Sequence, residues 1–288
     1  MKMNNDISKL QYNLKEDIEF FSESTDSNVE EFAKEIEISK TTIYEIMSNN
    51  MANEYIVEKI YSYIYKRKYR LNAVKEEMLR EMNPNLILFH GSKQGLKKIG
   101  ADGSRSNCDF GPGFYLGESY FQAISFVCEN KNSCVYSFSL DKKDMKILRF
   151  DIELDWMLAI SFYRGTIKKY ENHKRIKKII DKIDKADLII APIADNRMFY
   201  VMNSFANGDI NVEVALHSLS ASKLGMQYVL KTNKAIDKLK PIEKYYLSAP
   251  EKADYICFLE RRADEIETKL ELAKREYRDG LYIEEILK

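Results

Sequence analysis

Asp109-Phe-Gly-Pro-Gly-Phe-Tyr-Leu116 sets two glycines and a proline directly before three large apolar side chains, in a chain of 288 residues with only 11 glycines and 5 prolines. Two readings are open. The stretch is a tight turn feeding a buried strand, or it brings backbone and an aromatic ring against a flat ligand, where a Cβ would intrude. Upstream, Leu86-Ile-Leu-Phe-His-Gly-Ser92 reads as a short buried strand ending in His90-Gly91-Ser92, with a polar, glycine-containing loop between the two stretches.

Outward from this pair the texture predicts an α+β chain. Residues 1–82 contain no glycine and no proline and repeat apolar residues at helical spacing. Within them, residues 29–38 and Lys40-Thr-Thr-Ile-Tyr-Glu-Ile-Met47 resemble a helix-turn-helix, with Ser39 as the N-cap of the second helix and 39–48 in the recognition position. Residues 54–82 read as one long helix or a helix pair. After the break at Asn83-Pro84-Asn85, helices are expected at 118–128, 156–165 and 210–219. Strands are expected at 133–140, 145–150, 186–193 (an edge or a bulge, given Pro192) and 226–232, the last of them. From residue 242 the chain reads helical again. The expected domains are therefore a helical, helix-turn-helix-like 1–82, a mixed core over 85–240 and a helical extension over 241–288.

Composition narrows the function classes. Lys+Arg and Asp+Glu are both 45, so global charge favours neither nucleic acid nor membrane. Residues 1–82 carry 12 basic against 16 acidic side chains, which weighs against duplex binding by charge alone, although Lys40, Thr41, Thr42, Tyr44 and Lys66–Arg70 weigh for it. Lys174-Arg-Ile-Lys-Lys178 is a second basic cluster, of the kind that usually forms a solvated helix face. The four cysteines lack metal-ligand spacing and histidines number only three, so neither a metal site nor a disulfide framework is expected. The N-terminal residues lack a signal-peptide core and no run of 18 apolar residues occurs, so a cytoplasmic protein without membrane contact is expected. No Gly-x-Ser-x-Gly, Walker or Rossmann pattern is present.

His90-Gly91 followed by Gly111-Pro-Gly-Phe-Tyr115 resembles the ADP-ribosyltransferase superfamily, and more closely a bacterial branch of domains of unknown function often found beside small partner proteins. Trp156 with Arg164, Ala191-Pro-Ile-Ala-Asp-Asn196 and Gly225-Met-Gln-Tyr-Val-Leu-Lys-Thr232 extend the resemblance over roughly residues 85–240. It implies a mixed, split β-sheet core and NAD as co-substrate. His90 would bond a ribose hydroxyl, the backbone of Gly91 would fix the carboxamide, and Tyr115 would stack on the cationic nicotinamide ring. Gly111 and Gly113 would let the ligand approach, with Ser92 and Phe114 beside them. Arg105 and Arg164 are candidate diphosphate contacts. The late strand on which such transferases place a glutamate carries Gln227 here. An amide can bond a ribose hydroxyl but cannot act as a base, which leaves Asp195 as the candidate assisting carboxylate.

The expected activity is transfer of ADP-ribose from NAD to a macromolecular acceptor, protein or nucleic acid. The expected setting is a toxin–antitoxin or phage-defence pair, with residues 29–48 contacting operator DNA or the helical region holding a partner such as an antitoxin. The alternatives are a non-enzymatic DNA-binding regulator that senses NAD or a related nucleotide, and an NAD glycohydrolase.

Overall fold

The computed structural model describes residues 7–220 and 225–288, with Asn196 and residues 262–267 described by backbone alone. The first six residues of the expected helical region lie outside them. Helices α1 (Leu14–Thr25), α2 (Val29–Glu35), α3 (Lys40–Asn49), α4 (Glu54–Lys66) and α5 (Leu71–Met82) come first. They are followed by β1 (Leu86–Ser92), β2 (Phe114–Gly117), α6 (Tyr120–Ser125), β3 (Cys134–Leu140), β4 (Ile147–Arg149), α7 (Leu154–Tyr163) and α8 (Lys174–Asp184). Then come β5 (Leu188–Pro192), α9 (Asn196–Ala206), α10 (Val212–Ser220), β6 (Met226–Leu230), α11 (Asn233–Ile236), β7 (Leu239–Tyr246), α12 (Ala249–Glu276) and α13 (Ile283–Ile286). The chain is α+β, with a helical N-terminal region, strands of mixed direction and C-terminal helices.

Two compact units share these elements, and each is built from separate pieces of chain. The first comprises residues 1–98, 119–140 and 240–257. Helices α2, α3 and α4 start where short polar side chains can satisfy the free N–H groups of a first turn. Asn28 accepts from Glu31 N (2.8 Å), Ser39 from Thr42 N (3.1 Å) and Asn53 from Ile56 N (3.0 Å). Phe32, Ala33 and Ile36 at the end of α2 pack with Ile43 and Ile46 of α3 in one apolar cluster that also takes in Ile18, Phe21, Ile60 and Ile64. In the same unit β1 pairs antiparallel with β3, and β7 lies on the other side of β3.

The second unit comprises residues 99–118, 141–239 and 258–288. Its strands run in the order β4-β5-β6-β2, with β4 and β5 parallel and the other neighbours antiparallel. The core against one face contains Trp156, Met157 and Ile160 of α7, Ile176, Ile179 and Ile183 of α8, and Met198, Val201 and Phe205 of α9, together with Ile189 and Val229 from the strands.

Three expectations need correction. Strand β5 is interior, between β4 and β6, because Pro192 falls at its end and its missing donor interrupts no ladder. The strand at 226–232 is not the last: β7 follows, where Tyr245 and Tyr246 favour extended structure, and the C-terminal helix starts only at Ala249. Helix α9, unassigned from sequence, begins where Asp195 caps it.

Candidate functional site: a clasped turn over a buried carboxylate

In the first unit, His90 is half-buried on β1 opposite Tyr136, and Ser92 is buried opposite Cys134. Between them, Gly91 meets α6: a Cβ there would stand 2.2 Å from the Ala123 carbonyl oxygen. The glycine after the histidine is thus required by packing within the protein itself.

The other expected site residues belong to the second unit, and most converge on the turn preceding β2. Gly111 adopts φ +71°, and a Cβ on it would come within 2.7 Å of the Tyr163 ring. A Cβ on Gly113 would come within 2.7 Å of Val229. The Tyr115 hydroxyl reaches back to accept from Phe110 N (3.0 Å) and donate to Gly111 O (2.6 Å). Burial pushes this phenol well above its ordinary pKa, so it remains a donor at any physiological pH. Lys231 Nζ donates to the carbonyls of Phe110 (2.6 Å) and Pro112 (2.7 Å), and burial lowers its pKa. Ser104 Oγ accepts from Gly113 N at 3.0 Å, and Phe114 is buried opposite Leu230. The turn is held shut by the residues around it.

Beneath the turn lies a polar cluster centred on Asp109, a buried residue. Arg164, at the end of α7, gives Nε to Asp109 Oδ1 at 2.8 Å and Nη2 to Ala194 O at 2.9 Å, with its guanidinium 4.3 Å from the centroid of Phe199. Gln227, on β6, gives Nε2 to Asp109 Oδ2 (2.9 Å) and to Pro192 O (3.0 Å). Both partners are pure acceptors, so the amide orientation follows from the network: the NH2 points inward and the oxygen is what Gln227 has left to offer. The register pairs Tyr115 with Val229 and Gly117 with Gln227, which puts Tyr115 and Gln227 on the same face of the β2–β6 ladder.

The cluster thus brings together Gly111, Gly113, Tyr115, Arg164 and Gln227. Arg164 is committed to a carboxylate and a carbonyl. Asp195 caps α9, accepting from Arg197 N (3.0 Å) and Met198 N (2.8 Å). Arg105 is exposed in the loop and joins none of these contacts. Sequence reasoning passed over Asp109 and Lys231. The only signal for the first was an acidic residue at the head of the glycine-rich turn. For the second it was a lysine immediately after an apolar strand. The open hollow lined by Asn28, Glu30, Lys34 and Lys40 belongs to the helical region and includes none of these groups. Among the described residues no group of His, Cys, Asp or Glu is placed to hold a metal ion, and no helix is long and apolar enough to cross a membrane.

A glycine turn clasped by a tyrosine and a lysine, over a carboxylate that orients an amide, defines an α+β protein with a preorganised polar centre. Residues 86–240 match the model of a family described as a protein of unknown function (DUF3990), and since this spans more than half of the chain, the chain belongs to that family. No curated protein and no solved structure matches it.

Proposed function

We propose that the chain is an NAD-dependent ADP-ribosyltransferase acting on a macromolecular acceptor. The observation that carries this reading is the orientation of Gln227. Its amide nitrogen is fixed by Asp109 and Pro192, so its oxygen is presented as a fixed acceptor, the function a glutamate oxygen would serve toward a ribose hydroxyl. The resemblance of the His90-Gly91 and Gly113-Phe-Tyr115 elements to that superfamily supplies the substrate. In the proposed reaction the bond between the nicotinamide nitrogen and the ribose C1′ breaks. Nicotinamide leaves with the bonding pair, and the acceptor nucleophile forms the new bond to C1′. Rate would come from positioning and from stabilising an oxocarbenium-like state, with Gln227 on a ribose hydroxyl. The setting we propose is a toxin–antitoxin or phage-defence pair, with α2 and α3 offered to operator DNA or a partner protein.

One observation favours a second reading, a regulator that binds NAD without consuming it. Asp109 has both oxygens engaged, by Arg164 and Gln227, and Asp195 is a helix cap, so neither carboxylate is positioned as a base. Nicotinamide release from NAD separates the readings, measured with and without cell lysate for the wild type, His90→Ala and Gln227→Ala. Lysate-dependent release lost in both variants supports transfer. Release without lysate indicates hydrolysis. Binding of NAD with no release under either condition overturns the enzymatic reading.

A further inference from the structure

Helix α8 is strongly amphipathic. Ile176, Ile179 and Ile183 face the core, and the opposite side is basic. Lys174, Lys178 and Lys182 stand one turn apart in a single row, about 6 Å per step along the axis, with Lys177 beside them. All four are exposed and make no ion pair among the described residues. Arg175 is tied to Asp155 and Lys185 to Asp181. Across residues 168–185 there are eight Lys or Arg against three Asp or Glu, in a chain whose overall charge is zero. The helix dipole favours Lys182, in the last turn, but not Lys174: the first turn of α8 has no acidic residue, although the positive end of the dipole favours one there.

Position adds to charge. Tyr163, whose ring packs against Gly111 of the clasped turn, has its hydroxyl 3.5 Å from Asp184 Oδ1 at the far end of α8. Lys231, which holds the same turn, lies 5.8 Å from the centroid of that ring. The basic helix and the candidate site are therefore neighbours within one unit, linked through a single side chain.

We infer that the exposed row of α8 binds the sugar–phosphate backbone of a nucleic acid and that, on the reading of this unit as an ADP-ribosyltransferase, it is the platform on which a nucleic-acid acceptor is presented. The choice of nucleic acid over an acidic protein rests on composition. Protein interfaces are anchored by aromatic side chains and Arg and are depleted in Lys. The exposed side of α8 has lysines and no exposed apolar residue. Phosphate contacts need only well-placed positive charge.

The test is fluorescence anisotropy of the full chain with short labelled single-stranded DNA, single-stranded RNA and duplex DNA, between about 50 and 200 mM salt. The variants are K174E/K178E/K182E, checked for fold by circular dichroism, and Lys15→Glu, an exposed lysine of α1, as the control. The expected result is salt-sensitive binding to at least one nucleic acid. The triple variant should bind roughly tenfold or more weakly at low salt and show a salt slope smaller by about 2 to 3, while Lys15→Glu binds as the wild type does. No binding by the wild type at low salt, or equal binding by the folded triple variant, overturns the proposal, as does equally tight binding of poly-glutamate. Nicotinamide release, measured in parallel with the nucleic acid present, tests the enzymatic reading separately. Binding without release sustains the nucleic-acid site on α8 and removes the transferase, and release without binding sustains the transferase and removes that site.

Discussion

Asp109 links a guanidinium to an amide, and the charge on it decides which residue can stand at position 227. Gln227→Glu would set a second carboxylate against Asp109 Oδ2 and the Pro192 carbonyl, three acceptors facing one another with no donor among them. One carboxyl would have to stay protonated, at a cost of about 2 kcal/mol or more. We expect Gln227→Glu to lower the melting temperature clearly, and Asp109→Asn combined with it to recover part of the loss, because an asparagine NH2 restores the missing donor. A double variant no more stable than the sum of the two single losses predicts would show that the residues are not coupled. At this scale the sequence was informative about residue type and silent about commitment. Tyr115, Arg164 and Gln227 could be picked out from their motifs, but that the Tyr115 hydroxyl closes its own turn depends on a reach that spacing does not encode.

Among the elements, α5, α6 and α12 are joined by one buried carboxylate. Glu251 accepts from the Tyr120 hydroxyl at 2.9 Å and from Asn72 Nδ2 at 3.1 Å. Burial outweighs these bonds and raises its pKa to about 7. The unfolded carboxyl ionises near 4.5, the ordinary value for a glutamate. The folded state therefore has its full advantage below about pH 4.5, loses it as pH climbs toward 7, and carries the whole penalty above that, on the order of 3 kcal/mol. Glu251→Gln should raise stability in urea at pH 8 and change it little at pH 4; an equal effect at both would place the penalty elsewhere. Elements differed in how far they could be read. The α2–α3 pair, β1 and β3 were legible because capping residues and alternating apolar positions mark them locally. Strand β7 was not, since Lys240, Pro241, Glu243 and Lys244 interrupt its apolar pattern and the β-favouring Tyr245 and Tyr246 come only at its end, beside β3. Pro192 misled for the opposite reason: its meaning depends on whether it ends a strand or interrupts one.

For the molecule as a whole, the family match and the compact units divide the chain differently. Residues 86–240 hold the turn, Asp109, Arg164 and Gln227. A fragment cut at those bounds would lose most of β7 from beside β3 and the Glu251 carboxylate from beside Tyr120. It would also lose the residues around α13 that bond Asn211 and pack on the second core. We expect that fragment to melt without a cooperative transition, by circular dichroism, while the full chain shows one; a sharp transition in the fragment would show that the missing pieces are dispensable. Each unit is interleaved with the other along the chain. On the ribosome, then, the first unit cannot close until residues 240–257 emerge, and the second waits for residues 258–288. The first helices spend most of synthesis without the strand and carboxylate that complete their unit. The order of translation leaves assembly of both cores to the end, and the turn that begins at Asp109 is made long before the β6 strand carrying its amide partner exists.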